Sequence, residues 1–185
     1  MLDGSAFSTR GAYCSLQTAL HDTDAERVWN SKVPAKVKVF GWLLLLDRIN
    51  TRANLHHKHI LDYTNCPRCP ATIEDQSHLF FTCPRAALIW QRLGITHSAQ
   101  PFECFWDSPS PPGLPRNIWD YVLLIILWKI WDARNAMVFR KIDQTCTVTI
   151  SNIIQDLTLW SHRFRTTETR EAADLWRDHL TLCNM

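Results

Sequence analysis

Apolar residues recur along this chain chiefly three and four positions apart, the spacing that lines one face of a helix. The series Ile150, Ile153, Ile154, Leu157, Trp160 and Phe164 predicts an amphipathic helix. Ahead of it, residues 117–140 predict a longer one, about 36 Å at a rise of about 1.5 Å per residue. Its first half holds the unbroken apolar run 121–128, whereas its second half turns Lys129, Asp132, Arg134, Asn135 and Arg140 outward. Residues 34–49 predict a third helix, opened by Pro34, whose missing N–H costs nothing in a first turn. Val37, Val39, Phe40, Trp42 and Leu43 to Leu46 make it apolar nearly all round, hence buried on most sides. Shorter helices are expected over 9–20, over 86–93, behind Thr51 as a cap, and around Leu175, Trp176, His179 and Leu182. Thr23-Asp24-Ala25-Glu26 has the capping-box pattern and predicts a helix through Trp29. A single brief strand is suggested, at 6–8.

Proline sets the breaks between these elements. Pro67, Pro70 and Pro84 force a tight loop over 65–71. Residues 108–115 hold four prolines and one glycine, which reads as a linker. The expected organisation is therefore residues 1–107 with a compact knuckle at 64–85, a linker at 108–116, and a C-terminal helical region at 117–185. The expected class is all-α: a helical bundle with a small Cys-Cys-His-Cys knuckle and at most one short strand or hairpin.

Composition narrows the chemistry. The chain has 185 residues, 46% of them apolar and 21% charged, which excludes wholesale disorder. It has only 5 glycines and no glycine-rich phosphate loop, which argues against nucleotide binding, and no small-molecule substrate is expected. The longest apolar runs, 121–128 and 42–46, fall far short of the roughly 18 residues of a membrane helix. Residues 1–6 carry Asp3 and no apolar core of a signal peptide. An intracellular protein of the nucleus or cytoplasm is expected, neither secreted nor membrane-bound. The net charge of +2 is uneven: residues 27–68 hold eight Lys/Arg against two acids, and three histidines besides. Such a stretch can be a footprint for nucleic acid or simply a solvated face.

Seven cysteines without an export signal do not suggest a disulfide framework. Cys14, Cys104, Cys146 and Cys183 are isolated and read as small buried hydrophobes. Cys66, Cys69, His78 and Cys83 are different: C-x2-C-x8-H-x4-C supplies four soft or borderline ligands, the closed set that structural zinc takes. A capping pattern at Thr72-Ile73-Glu74-Asp75 is expected to start the short helix that carries His78. Zn2+ would replace the apolar core that so short a segment cannot build. A redox reading of Cys66-Pro67-Arg68-Cys69 fails because Pro70 blocks the helix that must continue past the second cysteine. Catalytic zinc would need an open position beside a base. Glu74 is the nearest candidate base, but four ligands close the site.

These residues carry a resemblance. The span 28–42, followed by Asp47-Arg48-Ile49-Asn50-Thr51 and Asn54-Leu55, resembles the reverse-transcriptase zinc-binding domain of plant LINE-type (non-LTR) retrotransposons. So does the string Cys66, Cys69, Glu74, His78-Leu79-Phe80-Phe81-Thr82-Cys83, Ala86 and Trp90, although His78 and Cys83 stand one residue further apart than in the family's shortest form. Residues 3–13 resemble its leading segment, and Trp128-Lys129-Ile130-Trp131 with Arg134-Asn135 and Val138-Phe139 resembles a string found downstream in the same polyproteins. The resemblance implies a zinc-binding accessory to a polymerase. With no Tyr-x-Asp-Asp string and no spaced acidic set for two-metal chemistry, a non-catalytic, stand-alone fragment is expected.

Two functions follow as expectations. One is weak, sequence-tolerant binding of RNA or DNA through Lys32, Lys36, Lys38, Arg48, Arg52, Lys58 and Arg68. Lys36 and Lys38 lie in a first helical turn, where the helix dipole disfavours cations and an anionic partner would compensate. The other is a zinc-stabilised interaction module for a reverse transcriptase or another protein, suggested by nine tryptophans. A remnant without selected function is the third possibility.

Overall fold

The computed structural model describes residues 22–96, 106 and 108–184. The strand expected at 6–8 and the helix expected at 9–20 lie outside the described residues, as do Cys14 and Cys104. Within them the chain is helical: α1 (Asp22–Asn30), α2 (Ala35–Leu45), α3 (Arg52–His57), a π-helical turn (His78–Thr82), α4 (Pro84–Arg92), α5 (Trp119–Arg140), α6 (Cys146–Ser161) and α7 (Thr167–Cys183). The only extended pairing among the described residues is one antiparallel bridge between Asn65 and Ile73. No helix there is long and apolar enough to cross a membrane.

The apolar run of α5 from Tyr121 to Trp128 determines the architecture. A helix without a polar side must be covered all round. From Tyr121 to Leu127 every residue of α5 is buried, with α1, α2, the π-turn and α6 packed around it and α7 laid on α6. Phe40 of α2 joins three of these elements, its ring 6.1 Å from Phe80, 5.4 Å from Trp128 and 6.4 Å from Trp131. At Gly41 the helices come closest: a Cβ there would stand 2.8 Å from Leu124 Cδ2 and 3.1 Å from a methyl of Val28. Gly41→Ala is therefore expected to destabilise the fold by about 1–3 kcal/mol through overpacking, read as a lowered urea midpoint at unchanged slope.

The proline-rich stretch is fastened to this core. Trp119 donates its indole N–H to the Ser108 carbonyl (2.9 Å), and Trp176 donates to that of Pro115 (2.9 Å). The two indoles stack at 5.3 Å, so α7 is docked on the start of α5. One buried apolar cluster runs from Val28 to Leu180 across residues 108–116.

Local expectations fared unevenly. Thr51 caps α3, accepting from the Asn54 N–H at 3.2 Å. α1 begins at Asp22, so Thr23 falls inside its first turn instead of ahead of it. α2 ends at Leu45 and buries one face only, Val37, Phe40, Gly41 and Leu44, with Val39 exposed. Of the nine tryptophans only Trp29 is exposed; Trp42 is half-buried, and the other seven build the core or its margin.

Candidate metal centre

Residues 64–74 form a narrow loop closed by backbone hydrogen bonds from Cys66 N–H to Thr72 O (2.8 Å), Thr72 N–H to Cys69 O (2.9 Å) and Glu74 N–H to Thr64 O (2.8 Å). Inside it the Arg68 N–H points at Cys66 Sγ, 3.4 Å away. The next turn is capped by Asp75, whose carboxylate accepts from the His78 N–H at 2.7 Å. This corrects the expected cap at Thr72: the Thr72 carbonyl is engaged by the loop, and the chain becomes helical only after Asp75.

His78 then opens the π-turn. In an α-helix of about 3.6 residues per turn, positions five apart stand roughly 140° out of alignment. Here the Cys83 N–H bonds to the His78 carbonyl, five residues back, at 2.7 Å. The widened turn brings His78 and Cys83 to one side and accommodates the extra residue between them. Pro84 has no N–H to offer the Phe80 carbonyl four residues behind it. The Trp90 indole donates to that carbonyl instead, at 2.6 Å, from α4.

Cys66, Cys69, His78 and Cys83 each present one ligand atom, and these atoms lie within 4.8 Å of one another. The donor set fits zinc in number and kind. A further observation supports the fit. Nε2 of His78 is buried with no hydrogen-bond partner, while Nδ1 lies 3.2 Å from Thr82 Oγ1. An imidazole held at Nδ1 and left bare at Nε2 is arranged as a metal ligand with an outer-shell partner. Thr82→Val is expected to weaken zinc affinity about tenfold, measured by chelator competition; water can partly replace the exposed hydroxyl.

The sulfurs are unequal without a cation. A hydrogen bond from Cys66 holds the Cys83 thiol down at about 5, aided by the N–H groups of Arg85 and Ala86 at the start of α4. Donating that bond pushes the Cys66 thiol up, and burial adds to this; burial and the neighbouring Cys83 raise Cys69. Cys83 is thus the sulfur most readily ionised, and a divalent cation would supply the charge that allows the other two.

The centre is tied to α5 by two ion-pair groups. Glu74, fully buried, is gripped by Arg134 through both carboxylate oxygens (Nε to Oε2 3.2 Å, Nη2 to Oε1), and its Oε1 also accepts from the Arg52 N–H at 3.1 Å. Asp143, just beyond α5, takes Arg68 at 3.1 Å and Arg85 at 2.8 Å. Lys141, in the left-handed region at φ 60°, ends α5 and turns the chain to bring Asp143 there.

Five of the seven cations expected to contact nucleic acid have a partner within the chain. Arg68 is held by Asp143 and the Ala133 carbonyl. Arg52 donates to the Asn65 carbonyl at 2.6 Å and lies over the Tyr63 ring. Lys58 reaches Asn50, and Lys36 lies over Trp128. Lys32 and Arg48 are exposed, and Lys38 donates to the Trp29 carbonyl at 2.6 Å.

Comparison with known proteins agrees with the geometry. An Arabidopsis thaliana protein named as a ribonuclease H protein is 26% identical over 119 residues, 60% of this chain. The chain spans 19% of that relative's length. No solved structure matches. Residues 7–90 match the family described as zinc-binding in reverse transcriptase.

Proposed function

We propose that this chain is a non-catalytic zinc-binding module of retrotransposon reverse-transcriptase origin that serves as an accessory nucleic-acid-binding element. The observation that carries the zinc reading is the convergence of three sulfurs on a histidine whose Nε2 is buried and bare. Zinc would be held by Cys66, Cys69, His78 and Cys83, and when bound it supplies a cross-link between the 64–74 loop and the start of α4. Four protein donors leave no position for a reacting water, and Glu74, the nearest candidate base, is bound to Arg134. Both features support a structural role.

Nucleic acid is favoured as the partner by the basic 27–68 stretch and by the ribonuclease H name of the relative. The test is filter binding of the zinc-loaded full chain to labelled RNA and DNA oligonucleotides at two salt concentrations. Binding that weakens as salt rises supports the reading, because phosphate contacts release counterions. Salt-insensitive capture of a protein would support the interaction-module reading, which the exposed Phe139 and Ile142 favour. Nucleotide incorporation or strand cleavage, abolished by changing an acidic residue of this chain, would overturn the non-catalytic assignment.

A further inference from the structure

We infer that single-stranded nucleic acid binds on a platform made by Tyr63 and Arg52, with Lys58 beside it. This rests on the nucleic-acid reading above and gives it a location, a strand form and a dependence on zinc.

Both members of the platform are placed by direct contacts. The Arg52 guanidinium lies over the Tyr63 ring, its carbon 4.8 Å from the ring centre. Arg52 Nη1 donates to the Asn65 carbonyl at 2.6 Å, and its backbone N–H donates to Glu74 Oε1 at 3.1 Å. Arg52 therefore joins α3 to both ends of the metal loop, where Asn65 and Ile73 form the antiparallel bridge. Tyr63 is 50% exposed although the guanidinium covers one face of its ring, so the other face meets solvent. A ring backed by an anchored cation is a preorganised stacking surface, which lowers the ordering cost of binding.

The occupant follows from the charge around that ring. Lys58 reaches back along α3 to Asn50 Oδ1 at 3.1 Å, which brings its ammonium to the end of the helix that Arg52 opens. A guanidinium has five N–H donors and an ammonium three, so one internal bond each places these groups without exhausting them. No residue of α3 is buried, and residues 48–73 hold four Lys/Arg against one acid, Asp62. An unpaired base can stack on Tyr63 while Arg52 and Lys58 take the phosphates. A duplex hides its base faces and could use only the cations. Zinc enters because Asn65, whose carbonyl holds Arg52, stands next to the ligand Cys66.

The experiment uses the zinc-loaded full chain with labelled oligouridine, oligothymidine and a duplex of matched length, by filter binding at two salt concentrations. Both single strands are expected to bind more tightly than the duplex, and their ratio tells RNA from DNA preference. Tyr63→Ala should weaken single-strand binding about tenfold at unchanged zinc content, with Tyr63→Phe recovering most of it. Arg52→Lys should lose affinity at an unchanged salt slope, because the charge stays while the planar fork goes. Lys58→Gln should weaken binding and lower the slope by about one. Arg165→Gln, an exposed cation beyond α6, should change neither. Chelation should weaken single-strand binding by the parent, and undiminished binding without zinc would overturn the dependence on the loop. Parent binding left intact by Tyr63→Ala and Arg52→Lys would overturn this site while leaving the nucleic-acid reading in place. Equal affinity for the duplex would overturn the stacking role and with it the site. No binding by the parent at low salt would overturn both.

Discussion

Chelation is expected to strip about one zinc from each molecule and to unfold residues 64–85 before α5, α6 or α7 opens. The order follows from what holds each part. The 64–74 loop keeps only three cross-loop backbone hydrogen bonds, and Cys66 and Glu74 are its only buried side chains. The helices share a continuous apolar core that needs no metal. Apparent zinc binding in small zinc modules is worth about 10–16 kcal/mol, far more than the loop's hydrogen bonds can contribute. Cys69→Ala and His78→Ala should each release the metal, because three ligands cannot close a tetrahedral structural site. Cys183→Ala, outside the cluster, should retain it. Zinc content by mass spectrometry and amide exchange across residues 64–85 are the readouts. Stoichiometric zinc in both ligand variants would remove the assignment.

Much of this arrangement is legible in the sequence because it depends on local spacing. The Cys66-x2-Cys69 pair, the capping of α3 by Thr51 and the length of α5 all arise within a few turns of chain. The π-turn is harder to see. It depends on a five-residue hydrogen bond and on Trp90 replacing the donor that Pro84 lacks; the x4 spacing between His78 and Cys83 is its only trace. Contacts across long separations leave no periodic signal. The Glu74–Arg134 pair spans 60 positions and the Arg68–Asp143 pair 75. Arg68 counts as a free cation in a charge tally, yet its guanidinium is engaged internally. Charge counted along a chain is thus a poor guide to charge on a surface. Tryptophan number misleads likewise, since stacking of Trp119 on Trp176 fills core volume.

Glu74→Gln is expected to cost about 3–5 kcal/mol, a loss on the scale of breaking a buried ion pair from one side. Arg134 is as enclosed as Glu74, so the variant leaves a buried guanidinium facing a neutral amide. The amide can still accept the Arg52 N–H, which confines the loss to the pair. Arg134→Met leaves the opposite charge stranded and should cost a similar amount. Combining Glu74→Gln with Arg134→Met removes both charges, and the double variant should be more stable than the sum of the two losses predicts. Urea unfolding of the four proteins gives the coupling. Strict additivity, or single losses below about 1 kcal/mol, would show that the pair does not hold the loop to α5. Amide exchange locates the effect: in Glu74→Gln the 64–85 segment should lose protection more than α6 or α7, because Glu74 closes the ligand loop while its carbonyl accepts from Ala53 of α3. The metal centre would then be loosened through a residue that binds no metal. That outcome would explain why a glutamate that looks like a catalytic base in the sequence is instead the peg fixing the zinc loop to the helical core.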